Sequence, residues 1–255
     1  MNKNVFISGA SSGIGEACAE IFAENGYRII LNGRRPERLS ALKENLESRF
    51  KAEVLVCAFN VADQASLKQS LDSLPAEWKE IDILVNNAGK ALGLSSIFEG
   101  DSSQWDEMID TNISGLLYLT RQLSPGMVQR KRGHIINIGS TAGKQAYPKG
   151  NVYAATKAAV ASLTEGMRID LLPYGIHVTL INPGAVETEF SQVRFSGDKE
   201  KAAKVYEGFQ PLHARDIAET VYFAASRPAH VNIAEITVVP NAQASSLVFH
   251  KEVVK

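Results

Sequence analysis

Two cysteines in 255 residues are too few for a disulfide-held scaffold. Cys18 falls in a helical pattern and Cys57 in the apolar run "EVLVCAF", so both are expected as small core residues in a reducing cytoplasm. His134, His177, His213, His230 and His250 show no metal-ligand spacing, so no metal is expected. Net charge is only −1, which gives nucleic acid or an anionic membrane no reason to bind. No apolar run approaches a membrane span, and "MNKNVFISGA" holds too short a run for a signal peptide. Repeats, low-complexity tracts and linkers are also lacking. What remains is one enzyme-sized domain over 1–255, with 45% hydrophobic residues to form its core.

Seven short β-rich runs are present: "NVFISG", "YRIILNG", "EVLVCAFN", "IDILVNNAG", "GHIINIGS", "IHVTLINPG" and "EITVVP". Helical stretches such as "GEACAEIFAENG" and "RPERLSALKENLESRF" lie between most of them. Parallel strands need crossovers, so this alternation predicts an α/β fold, a doubly wound sheet of seven parallel strands with helices on both faces. Ligands of such sheets bind beyond the carboxyl ends of the strands. The long non-periodic stretch after the sixth run, about 185–212, is placed to form a lid there. The tail, 240–255, either reaches a neighbouring subunit or frays.

The first run leads into "SGASSGIG" and then a helix. Gly9, Gly13 and Gly15 leave the turn free of bulky side chains, so backbone can approach a pyrophosphate. The N–H groups and partial positive charge of the following helix favour that anion. The second run ends "LNGRRPER", with Gly33 where an acidic residue would meet the ribose 2′-hydroxyl of NAD. Arg34 and Arg35 follow, ahead of Pro36 at a first helical position. Cations are unfavourable at that end of a helix dipole, and a 2′-phosphate relieves the conflict. NADP is therefore favoured over NAD, and the arginines are expected to hold its phosphate.

In "NVYAATKAAV" two polar side chains, Tyr153 and Lys157, stand four positions apart and hence one turn apart on one helix face. An ammonium beside a phenol favours the tyrosinate. Moving a tyrosine from near 10 to neutrality needs roughly 4 kcal/mol. One ammonium about 5 Å away supplies about 3 kcal/mol at an effective dielectric near 20. The pair thus suits acid/base work.

These stretches resemble the classical short-chain dehydrogenase/reductase family over essentially the whole chain. The marks are "SGASSGIG", "NNAG" at 86–89, Asn112 in "DTNISG", Ser140 in "INIGS", Tyr153 with Lys157, and "NPG" at 182–184. "LPAEWKEIDILVNNAGKALG", "YPKGNVYAATKA", "ETEFSQVRFSGD" and "PAHVNI" resemble its NADP-dependent 3-hydroxy acid (serine-type) branch. Ser8, Asn60-Val61 and Lys90 depart from the usual threonine, aspartate–valine and apolar residue.

The resemblance implies a Rossmann-like fold, a homotetramer pairing helices at about 101–130 and 150–172, and a catalytic set of Asn112, Ser140, Tyr153 and Lys157. Tyr153 would exchange a proton with the substrate oxygen, and Ser140 would hydrogen-bond it. Lys157 would grip the nicotinamide ribose and lower the Tyr153 pKa, with Asn112 holding a water relay. The cofactor would be held by Gly9, Ser11, Ser12, Gly13, Ile14, Gly15, Arg34, Arg35, Asn60, Val61, Asn87, Tyr153, Lys157, Pro183, Gly184, Val186 and Thr188. Arg194 has the fork to grip a substrate carboxylate, or else pairs with Glu187 or Glu189. Lys144, Gln145 and Tyr147 lie in the loop beside Ser140. Two other readings are a reductase of other ketones or carrier-bound 3-oxoacyl chains, using Lys90, Lys144 and Lys149 as a basic patch, and a non-catalytic NADP-sensing regulator.

Overall fold

The computed structural model describes residues 3–195 and 197–252. Seven strands form one parallel sheet: β1 Asn4–Ile7, β2 Arg28–Gly33, β3 Val54–Ala58, β4 Ile81–Asn86, β5 His134–Ile138, β6 His177–Pro183 and β9 Glu235–Val238. Their order is β3-β2-β1-β4-β5-β6-β9. The chain works outward from β1 to one edge, then returns to start the other half at β4. A crevice opens where this direction changes, between β1 and β4. Two-residue strands β7 (Val186–Glu187) and β8 (Leu212–His213) pair separately and pin both ends of the 185–212 stretch.

Alternation along each strand divides the core into two layers. Val5, Ile7, Ile29, Leu31, Ile83 and Val85 pack under helices α1 (Gly13–Glu24), α2 (Pro36–Phe50) and α9 (Ala214–Ala225). Phe6, Ile30, Leu84, Ile135 and Val178 face the other way, towards α3 (Gln64–Asp72) and α5 (Gly115–Arg130). Helix α4 (Ser102–Ile109) runs into α5 through a π-helical turn, Asp110–Ser114, and α6 spans Asn151–Leu171. Cys18 and Cys57 are buried free thiols in opposite layers. Burial pushes the Cys18 thiol up to about 12 and the Cys57 thiol up to about 11.

The stretch expected as irregular carries two short helices, α7 (Glu189–Arg194) and α8 (Lys199–Lys204). Six residues each are too few for a helical period to show in sequence. The tail does not fray over its described part. Gln243 pairs with Phe249, and the Glu252 N–H donates to the Gly208 carbonyl at 2.8 Å. It therefore lies against the 185–212 stretch; residues 253–255 of the expected tail lie outside the described residues.

Candidate active site

A cavity of about 580 Å³ opens at the carboxyl ends of β1, β4, β5 and β6. Gly9, Ser11, Ser12, Gly13 and Ile14 form one wall. Gly9 and Gly13 have φ of +67° and +58°, which glycine adopts without a Cβ penalty. Gly15 does not line the cavity. A Cβ there would meet the Gly9 carbonyl oxygen at 2.4 Å, so this glycine lets α1 pack onto its own turn. Ser12 caps α1 without a side-chain hydrogen bond, leaving first-turn N–H groups for an anion.

The second wall is tied to the first by Ser8. Its hydroxyl donates to the Val85 carbonyl at 3.2 Å and accepts from the Asn87 and Ala88 N–H groups, each at 3.0 Å. Asn87 lines the cavity, but its amide N–H groups are spent on the Ser8 and Gly9 carbonyls. Asn60 and Val61 line the cavity as well, and Val61 is buried with its side chain against Gly115. Asn60 is exposed, and its Oδ1 accepts from the Ala62 N–H at 3.2 Å.

The two arginines take different partners. Arg35 donates to Ser11 and Ser12, and also to Glu189 at 3.1 Å. Arg38, on the first turn of α2, donates to both Glu189 oxygens at 2.7 and 2.8 Å. Arg34 also lines the cavity, 4.0 Å from Glu107 on α4. Arg34 and Arg35 thus both line it, and Arg38 joins Arg35 through their shared partner Glu189. With Pro36 at the first helical position, residues 35 and 38 both reach Glu189.

Ser140 leaves β5 as the cap of a 3₁₀ turn; its oxygen accepts from the Ala142 N–H at 3.1 Å, leaving its own hydrogen free to donate. Tyr153 lies on the first turn of α6, buried beneath Phe190, whose ring centroid is 5.6 Å away. Burial pushes its phenol well above the ordinary tyrosine value, and the Ser140 hydroxyl pulls part of that back. Lys157 does not contribute to that shift. Its ammonium is buried, donates to the Ile138 carbonyl at 2.8 Å, and is lowered to about 8 by desolvation. In the protein alone burial is the largest influence on the phenol, with the Ser140 hydroxyl and the Arg194 guanidinium acting against it.

Asn112 sits in the π-helical turn, and its side chain does not reach the cavity. Its amide donates to the Lys90 carbonyl and to Thr156 Oγ1, and its oxygen accepts from the Lys90 N–H at 2.8 Å. These bonds fasten the turn between α4 and α5 to α6 and to the Lys90 backbone. Lys90 is buried and pairs with Glu107.

Pro183, Gly184, Val186 and Thr188 line the cavity beyond β6. Gln243 from the tail secures them by accepting the Ala185 N–H at 2.8 Å. Arg194 lies at the far end, donating to the Tyr147 hydroxyl at 2.6 Å and the Gly93 carbonyl at 3.2 Å. It forms no ion pair among the described residues, since Glu189 is held by Arg35 and Arg38. Lys144 pairs with Glu235 and Gln145 is exposed, so of these three Tyr147 alone lines the cavity, beside Pro148. Phe190, Gln243, Phe249 and Lys251 also line it and were not anticipated. Nothing local in the sequence marks the tail residues, which arrive by long-range folding.

His134 is a core residue, 2.7 Å from Thr179 Oγ1, with burial lowering it to about 3. Among the described residues, no cluster suited to a metal forms, and no helix is long and apolar enough to cross a membrane.

A glycine turn against an uncapped helix, with serine, tyrosine and lysine at the sheet's carboxyl edge, is the site of a short-chain dehydrogenase. Residues 3–199 match the short chain dehydrogenase family model, and the chain belongs to this family. It is 50% identical to the NADP-dependent 3-hydroxy acid dehydrogenase YdfG of Salmonella typhi over 240 residues, covering 94% of this chain and 95% of that protein. Identity to the serine 3-dehydrogenase of Rhizobium radiobacter is 42%, over 94% of each chain. The closed form of serine dehydrogenase complexed with NADP+ superposes with a TM-score of 0.92 at 45% identity, covering 98% of this chain and all (100%) of that one.

Proposed function

We propose that this short-chain dehydrogenase uses NADP to interconvert the hydroxyl and oxo forms at the 3-position of short acids such as serine or 3-hydroxypropionate. The observation that carries the acid preference is Arg194, a cavity guanidinium with a tyrosine and a carbonyl as partners and no carboxylate. A substrate carboxylate supplies the missing charge and fits the planar fork. The cofactor preference is supported by Arg35 and Arg38, a paired cationic site at the end of β2.

When bound, NADP(H) accepts or supplies the hydride. In reduction, the Tyr153 hydroxyl gives its proton to the substrate carbonyl oxygen, while Ser140 donates a hydrogen bond to the same atom. In oxidation, the Tyr153 oxygen takes the hydroxyl proton. Phe190 over the phenol keeps water from it. Lys157, anchored on the Ile138 carbonyl, is placed to hold the ribose and steady the charge that forms on Tyr153. Asn112 fixes the strand end carrying Lys90 and so the wall opposite them.

A reductase of carrier-bound chains would want a basic entrance. Lys90 is instead buried with Glu107, and Lys144 is tied to Glu235. A sensor without turnover has no use for a buried tyrosine–serine pair. The helices α4, α5 and α6 leave Ile109, Leu117 and Ile169 exposed, with Leu172 just past α6, which supports a homotetramer built through these faces. Two unpaired thiols fit a cytoplasmic protein. The test is NADPH absorbance at 340 nm with a panel of 3-oxo and 3-hydroxy acids and their neutral analogues. Turnover confined to neutral ketones would overturn the acid assignment.

A further inference from the structure

Glu189 opens α7, and its carboxylate occupies the space between two guanidinium groups. Arg35 reaches it at 3.1 Å and Arg38 at 2.7 Å. The remaining donors of Arg35 are committed to the glycine turn: Nε to Ser11 Oγ at 3.2 Å, and Nη2 to Ser11 and Ser12. The arm aimed outward is the one Glu189 holds. A ribose 2′-phosphate seated at Arg35 therefore needs the donor that this carboxylate already uses. Sharing it would set a dianion beside a carboxylate, with Glu16 also close enough to feel Glu189. Like charges at that separation repel.

The same short helix reaches the chemistry. Phe190 covers Tyr153, Ser191 lies 2.7 Å from the Tyr206 hydroxyl, and Arg194 ends the helix in the substrate cavity. Thr188, just before it, would touch a Cβ added at Gly13 at 3.2 Å. A six-residue helix is about 9 Å long, so one short element spans from Glu189 to Arg194.

We propose that Glu189 is a built-in competitor for the 2′-phosphate, ceding Arg35 and Arg38 when a 2′-phosphorylated nucleotide arrives and so tying the adenosine end to the helix that carries Phe190 and Arg194. Glu189 is a specificity-determining residue on this view. It makes the phosphate displace an internal ion pair, and it turns that displacement into movement over the substrate. The inference rests on the NADP reading above.

Calorimetric titration of wild-type protein and Glu189→Gln with adenosine 2′,5′-bisphosphate and adenosine 5′-monophosphate tests it without turnover. Removing the carboxylate's charge weakens its hold on both guanidinium groups, so the bisphosphate should bind Glu189→Gln about three- to sixfold more tightly. The monophosphate should bind both proteins equally. Unchanged or weaker bisphosphate binding in Glu189→Gln would overturn the competition. A bisphosphate no tighter than the monophosphate in either protein would remove the NADP reading itself. Hydrogen exchange on wild-type protein, which needs no substitution, tests the coupling. Amides of 190–194 should exchange faster with the bisphosphate than with the monophosphate, and identical exchange would overturn the link to α7.

Discussion

The Lys157 ammonium donates to the Ile138 carbonyl oxygen at 2.8 Å, joining the second turn of α6 to the last residue of β5. That bond fixes the distance between Tyr153 on the helix and Ser140 just past the strand. It also buries a cation whose pKa falls to about 8.

The burial gives stability a pH signature. The folded pKa lies below the unfolded value near 10.5, so between about 8 and 10.5 the unfolded chain holds more protons. Lysine burial therefore costs stability below pH 8, and the cost is relieved as pH rises. Urea unfolding should show Lys157→Met most stabilised relative to wild type near pH 7.5. That difference should shrink by on the order of 3 kcal/mol towards pH 10.5. Cys18 and Cys57 titrate in both proteins and cancel. A difference independent of pH would mean that Lys157 is not desolvated.

Tyr153→Phe should lower kcat by at least about 10²-fold, because the proton donor is removed. Cofactor affinity, followed by NADPH fluorescence, should change little. Near-wild-type turnover would reassign the acid/base.

Arg194→Ala should separate charged from neutral substrates. Loss of a charged hydrogen-bond partner is worth about 1.5–3 kcal/mol, or roughly 10- to 150-fold in kcat/KM for a 3-oxo acid. The methyl ester of the same acid should lose much less. Equal losses would leave Arg194 a structural partner of Tyr147 alone.

Gly15→Ala should destabilise the protein by about 1–3 kcal/mol, since the added methyl meets fixed backbone. Thermal unfolding without ligand reads this directly. Gly26→Ala is a useful contrast. A Cβ there meets nothing within 4 Å, so only its φ of +76° opposes the change.

The sheet was legible because alternating apolar runs and glycine-bounded helices are local signals, and Val5, Phe6 and Ile7 assign themselves to layers by period alone. Tyr153, Ser140 and Lys157 were legible as a set from spacing and resemblance. Their charge state was not, because desolvation depends on what covers α6. Glu189 with Arg35 and Arg38, and Asn112 with Lys90, are partnerships across long separations in sequence. No periodicity announces them. The two short helices of 185–212 and the inward-turned tail were hidden for the same reason: their partners lie elsewhere in the chain.

The burial of both native thiols also has a practical side. Neither Cys18 nor Cys57 presents a nucleophile to a maleimide near neutral pH, so a single cysteine placed at the exposed position of Gln192 becomes a clean attachment point for a fluorophore. Any response of α7 to a nucleotide can then be read from that label in real time, on an otherwise unaltered protein.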